Sequence, residues 1–111
     1  MSSKVNELKN NLRKLGQEMP SIMGAFGNFN KEAVKDGVLN HKIKELMALA
    51  IGLAVRCNHC IRYHTAEAVK AGATRAEILE TAGVAILMGG GPVLTNTASV
   101  LFELLDELEV K

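Results

Sequence analysis

His41-Lys42-Ile43-Lys44-Glu45 leads into Leu46-Met47-Ala48-Leu49-Ala50-Ile51-Gly52-Leu53-Ala54-Val55, and that run gives way to Arg56-Cys57-Asn58-His59-Cys60-Ile61-Arg62-Tyr63-His64. The uncharged stretch is built mostly from Leu, Ala and Ile, with good helix formers prominent. At about half the length of a membrane span, it reads as a buried helix. Asn40 is a suitable cap, so a helix is predicted over 41–55. After Glu45 it is apolar on almost every face, which predicts a place at the centre of the assembly. A second helix is predicted to start near Arg56-Cys57 and to end at Gly72.

Outward from this hairpin the pattern stays helical. Val5, Leu8, Leu12 and Leu15 recur at helical spacing over about 4–15, with a stop near Gly16. Pro20 suits the first turn of the next helix, which carries Ile22, Met23, Phe26 and Phe29 toward Val34 and ends at Lys35-Asp36-Gly37. Thr74-Arg75-Ala76-Glu77 has the form of a capping box. The helix it opens runs through Ile78, Leu79, Ala82, Ile86 and Leu87 and breaks at Gly89-Gly90-Gly91-Pro92. A last helix carries Val100, Leu101, Leu104, Leu105 and Leu108. No segment alternates with period two, so no sheet is predicted. The expectation is an all-α fold of about six helices, one domain over residues 1–111, with no repeat or linker.

Composition narrows the function. The chain has 111 residues, 48% hydrophobic, with no Trp, one Tyr and three Phe. So much aliphatic surface on so short a chain predicts burial between subunits, hence a homo-oligomer. The first and last helices, through Leu8, Leu12, Leu101 and Leu105, are expected to add apolar stripes to that contact. Thirteen basic and 12 acidic residues leave a net charge of +1, without a basic stripe or stacking aromatics for nucleic acid. The N-terminus, Met1-Ser2-Ser3-Lys4-Val5-Asn6-Glu7, turns amphipathic at once and has no apolar signal core. No membrane association is expected, and the expected compartment is the cytoplasm. There, closely spaced cysteines point to catalysis or metal binding rather than a structural staple.

Cys57 and Cys60, three apart, share a helix face and can meet in a short disulfide at the helix start. His64 lies one turn beyond Cys60 on the same side. Amides at a helix N-terminus favour a thiolate, and an adjacent imidazole can take its proton. If the two central helices form an antiparallel hairpin turning near 55–57, Glu45 lies roughly 15 Å before the turn and His64 roughly 12 Å after it. The two then face each other. A buried carboxylate there orients the imidazole and stabilises its charged form, as in a catalytic triad.

The pattern Glu45-x11-Cys57-x-x-Cys60-x-x-x-His64, with His59 inside the cysteine pair, resembles the signature of the alkylhydroperoxidase D-like, or carboxymuconolactone decarboxylase-like, superfamily. Lys44-Glu45-Leu46, Gly72-Ala73-Thr74 and Met88-Gly89-Gly90-Gly91-Pro92 resemble its short members, and the likeness covers about residues 20–95. The resemblance implies a helical bundle, a thiol peroxidase or disulfide reductase of alkyl hydroperoxides, and a dithiol or thiol-protein electron donor. It also implies a homo-oligomer, a hexamer favoured over a trimer. By position, Cys60 is implied as the attacking thiol, activated by His64 and Glu45 with His59 assisting, and Cys57 as the more exposed resolving thiol. The helix-dipole argument alone favours Cys57 as the more acidic thiol. The local base at His64 is taken to outweigh a dipole that fades beyond the first turn.

Other readings differ in chemistry. Two inert buried thiols would not need His64 beside them. Zinc could take Cys57, Cys60 and His64 with His59, His41 or Glu45, but no second Cys or His pair is present. His41, beside the cap, is expected at the surface. Tyr63 and Arg62 are expected either to shape the pocket or only to pack. The glycine run lacks the Gly-Lys-Ser/Thr of a phosphate loop and reads as a turn. No metal or cofactor is expected. The alternative activity is a cofactor-free decarboxylase or lyase using Glu45 and His64 as acid and base, and the non-enzymatic alternative is a binding module with vestigial cysteines.

Overall fold

A computed structural model describes residues 3–111; Met1 and Ser2 of the predicted amphipathic N-terminus lie outside the described residues. The elements are α1 (Ser3–Glu18), α2 (Pro20–Val34), α3 (His41–Ala54), α4 (Asn58–Lys70), α5 (Arg75–Gly89), α6 (Gly91–Asn96), a π-helical turn (Thr97–Leu101) and α7 (Phe102–Glu107). The described residues contain no strand. The last three elements follow without a break and correspond to the predicted sixth helix, which starts at the Gly-Pro pair rather than after it. Pro92 sits in its first turn, where a missing N–H costs nothing.

The caps explain most boundaries. Asn40 Oδ1 accepts the Ile43 N–H at 2.8 Å and opens α3. Thr74 and Glu77 form the predicted capping box at α5, with Thr74 Oγ1 accepting the Glu77 N–H at 3.1 Å and Glu77 Oε1 accepting the Thr74 N–H at 2.9 Å. Gly90 ends α5 with φ 73° and ψ −151°, backbone that only glycine adopts without strain. The stop predicted at Gly16 is absent, and α1 runs on to Glu18. Gly16 keeps helical backbone, and the break waits for Pro20, which cannot continue the N–H ladder.

The α3–α4 hairpin is the centre. Its turn is a Schellman closure: Cys57 N–H donates to Gly52 O at 2.9 Å and Arg56 N–H to Leu53 O at 3.1 Å. Arg56 takes the left-handed position at φ 57°. Gly52 lets the two helices approach, since a Cβ there would lie 3.1 Å from Cys60 Cβ. Leu49 and Leu53 of α3, Ile61 of α4, Ile78 of α5, and Leu101 and Leu105 from the C-terminal rod form the fully buried core. Each contributes about 1.5–3 kcal/mol by leaving water. Lys42 Nζ ties α3 to α5 through Glu77 at 2.8 Å.

α1 lies across α4, and α2 runs back from α1 toward the start of α3. Val5 anchors α1 against Ala66 and Leu104. The expected apolar stripes need correction here. Leu101 and Leu105 are fully buried within the chain, and the half-buried Leu8 and Leu12 line an open cavity. Much of the apolar surface that stays exposed lies instead on α2 (Ile22, Phe26, Phe29), on α3 and its C-cap (Met47, Ile51, Val55) and on α5 (Val84, Leu87, Met88). α3 is therefore central with only one side covered by its own chain. No helix among the described residues is long and apolar enough to cross a membrane.

Candidate active site

Cys57 and Cys60 stand at disulfide distance, with Cα atoms 5.2 Å apart. Cys57 is the N-cap of α4, with extended backbone, and its sulfur accepts the Cys60 N–H at 3.2 Å. The Schellman turn delivers Cys57 to that position, and Cys60 then falls in the first turn of α4. Both residues are partly exposed. What separates them is direction: Cys60 lines a cavity of about 410 Å³ between α1, α2 and α4, and Cys57 does not.

Leu8, Leu12, Met23 and Phe26 give that cavity an apolar wall, and His59, Tyr63 and His64 join Cys60 on the α4 side. His59 stands at the rim, where a neighbouring depression is lined by Lys4, Glu7 and Arg62. Tyr63 packs edge-on against His64, ring centres 5.2 Å apart. Burial, reinforced by the Glu67 and Glu45 carboxylates and opposed by Lys70, pushes the Tyr63 phenol above its ordinary value. It therefore stays protonated near neutral pH, on the same cavity wall as Cys60.

His64 and Glu45 meet across the hairpin as predicted. His64 Nδ1 lies 2.7 Å from Glu45 Oε1, and Glu45 is 1% exposed. A buried carboxylate is costly unless paired, and the imidazole supplies the partner. With Nδ1 donating to Glu45, Nε2 of a neutral His64 is the basic nitrogen.

His41 departs from expectation. It is not simply a surface residue: its ring is half-buried, with Nδ1 2.7 Å from Val34 O and Nε2 3.6 Å from Glu45 Oε2. Its place four residues before Glu45 on a helix was the available signal, because that spacing puts both side chains on one face. Among the described residues no group of three or more His, Cys, Asp or Glu gathers around a point that could hold a metal ion. Of the ligand set considered for zinc, the two sulfurs face each other and two of the imidazoles turn to Glu45.

The sequence model of the carboxymuconolactone decarboxylase family matches residues 20–103. An uncharacterised protein of Cupriavidus necator is 36% identical over 92 residues, 83% of this chain and 81% of its own length. A solved structure of a carboxymuconolactone decarboxylase family protein from Legionella pneumophila superposes with a TM-score of 0.86 at 42% identity, covering 96% of this chain and 97% of that one. A family protein of Thermotoga maritima, described as "possibly involved in antioxidative response", superposes with a TM-score of 0.84 at 31% identity, covering 96% of this chain and 91% of the other.

Proposed function

Because this chain belongs to the carboxymuconolactone decarboxylase family, we propose that it is a thiol peroxidase and disulfide oxidoreductase acting on organic hydroperoxides. The observation that carries the reading is Cys60 in an apolar cavity, at disulfide distance from Cys57 and beside a His64 held by the buried Glu45. The antioxidative description of the Thermotoga maritima relative points the same way.

In the reduced protein, His64 Nε2 takes the Cys60 proton, and Glu45 supports the imidazolium that results. The thiolate attacks one peroxide oxygen and the O–O bond breaks. Cys60 becomes a sulfenic acid, and the departing alkoxide takes the proton from His64 and leaves as an alcohol. The Cys57 thiol then attacks the Cys60 sulfur, forming the disulfide and releasing water. A dithiol or thiol-protein donor exchanges with that disulfide, restores both thiols and leaves oxidised itself. His59, at the cavity rim, assists. The apolar wall of Leu8, Leu12, Met23 and Phe26 suits an alkyl chain. The working form is a homo-oligomer, a hexamer in preference to a trimer, located in the cytoplasm.

Cys60→Ser is the test. It should abolish hydroperoxide reduction, while a decarboxylase or lyase running on Glu45 and His64 would keep its proton-transfer activity. Peroxide reduction surviving in the folded Cys60→Ser protein would overturn the reading.

A further inference from the structure

Glu45 has two oxygens, and only one is used by the relay described above. Oε1 faces His64; Oε2 faces His41 Nε2 at 3.6 Å, ion-pair distance but beyond a direct hydrogen bond. The protonation of His41 follows from its other contact. A carbonyl oxygen can only accept, so His41 Nδ1, 2.7 Å from Val34 O, must carry a hydrogen. A neutral imidazole has no second hydrogen, and its Nε2 would then present a lone pair to a carboxylate oxygen. That arrangement is repulsive unless one proton resides on His41 or on Glu45.

The surroundings favour His41 as its place. Val34 is the last residue of α2, whose closing carbonyls carry the negative end of the helix dipole. Asp36 Oδ1 accepts the His41 backbone N–H at 2.6 Å and adds a further negative charge. The lysines nearby are otherwise engaged: Lys44 donates to Lys35 O, Lys42 pairs with Glu77 of α5, and Lys35 pairs with Glu32. Among the described residues, α4 brings His64, against Glu45, and Tyr63, against His64, into this chain of contacts.

We propose that His41 acts on the relay through Glu45: as an imidazolium between the end of α2 and that carboxylate, it offsets part of the carboxylate's charge. The inference rests on the thiol chemistry proposed above. Its consequence has a definite sign. With His41 present, Glu45 stabilises the His64 imidazolium less than a free carboxylate would. Removing the His41 charge strengthens that support, so the Cys60 thiolate forms at lower pH. Glu45→Gln has the opposite effect, because the imidazolium loses its partner altogether.

The experiment measures the pH midpoint of Cys60 alkylation by iodoacetamide in a Cys57→Ser background, alone and combined with His41→Asn or His41→Ala. The Asn amide can keep the donation to Val34 O without the charge. Both His41 variants should lower the midpoint, on the order of half a unit. Glu45→Gln should raise it. A midpoint unchanged in the folded His41→Asn protein, or raised in it, overturns the proposal. The readout does not depend on peroxide turnover. A lowered midpoint in a protein that consumes no hydroperoxide would leave His41 in place and remove the peroxidase reading instead.

Discussion

Glu45 is the residue on which the proposed relay turns, with Oε1 against His64 and Oε2 toward His41. It is buried and shared by two imidazoles, so its loss should leave a recognisable mark. Glu45→Gln retains shape and one hydrogen bond to His64, and the fold should survive. Cys60 should react with hydroperoxide about 10- to 100-fold more slowly near neutral pH, a smaller loss than removing the proton acceptor itself would bring, because His64 remains. The pH–rate profile should move to higher pH, since the imidazolium has lost its carboxylate. Stopped-flow kinetics across the pH range checks this, and an unchanged profile in the folded variant removes Glu45 from the mechanism. The pair Glu45 and His64 was legible beforehand because helix geometry alone sets their depth on either side of a turn. His41 was not. Its role depends on Val34 O, which α2 brings to it, and no spacing within α3 shows where another helix ends.

At the scale of elements, the cavity depends on α1 staying in place. Leu8 and Leu12 wall it, and Lys9 Nζ, on the same helix, pairs with Glu67 of α4 at 3.1 Å. Burial pushes the Glu67 carboxyl upward, but hydrogen bonding and charge from Lys9, with Lys70, outweigh it and hold the group below its ordinary value. A folded value below the unfolded one means the contribution is complete above the unfolded value of about 4.3 and fades as pH falls toward the folded one. Lys9→Ala should cost no more than about 1 kcal/mol at pH 7. The difference between wild type and variant should shrink by pH 3. Urea midpoints of both proteins at the two pH values decide it, and a difference that stays constant with pH would remove the ion pair from the account. The hairpin, the caps and five of the helices were legible from periodicity and turn residues. The π turn was not. There Phe102 N–H donates to Thr97 O, five residues back, while Thr97 and Ser99 hydroxyls donate to the carbonyls four residues before them. Such back-bonding competes with the ordinary ladder, and its outcome depends on packing against α4 that the local sequence does not reveal.

The whole molecule leaves apolar side chains facing outward on α2, α3 and α5, with Phe29 68% and Leu87 80% exposed. A lone chain would carry them as an adhesive surface. Closed symmetric assembly covers such faces, which is why the homo-oligomer is part of the proposed function. Sedimentation at low micromolar concentration should give a hexamer, and Ile51→Glu with Leu87→Glu should reduce it to smaller species. A stable, active wild-type monomer would refute the assembly. Amphipathic patterning indicated that apolar surface was in excess; it could not say which helices would keep theirs, because the core had first to choose Leu101 and Leu105. The proposed chemistry takes place at two sulfurs, and thiol counting on the reduced protein before and after one equivalent of an organic hydroperoxide, followed by mass mapping, follows both of them. Two thiols should be lost per peroxide consumed, Cys57 and Cys60 should be recovered as one intramolecular disulfide, and a dithiol should restore both. Peroxide consumed while both thiols remain free, or two thiols unchanged with no peroxide consumed, would contradict that chemistry.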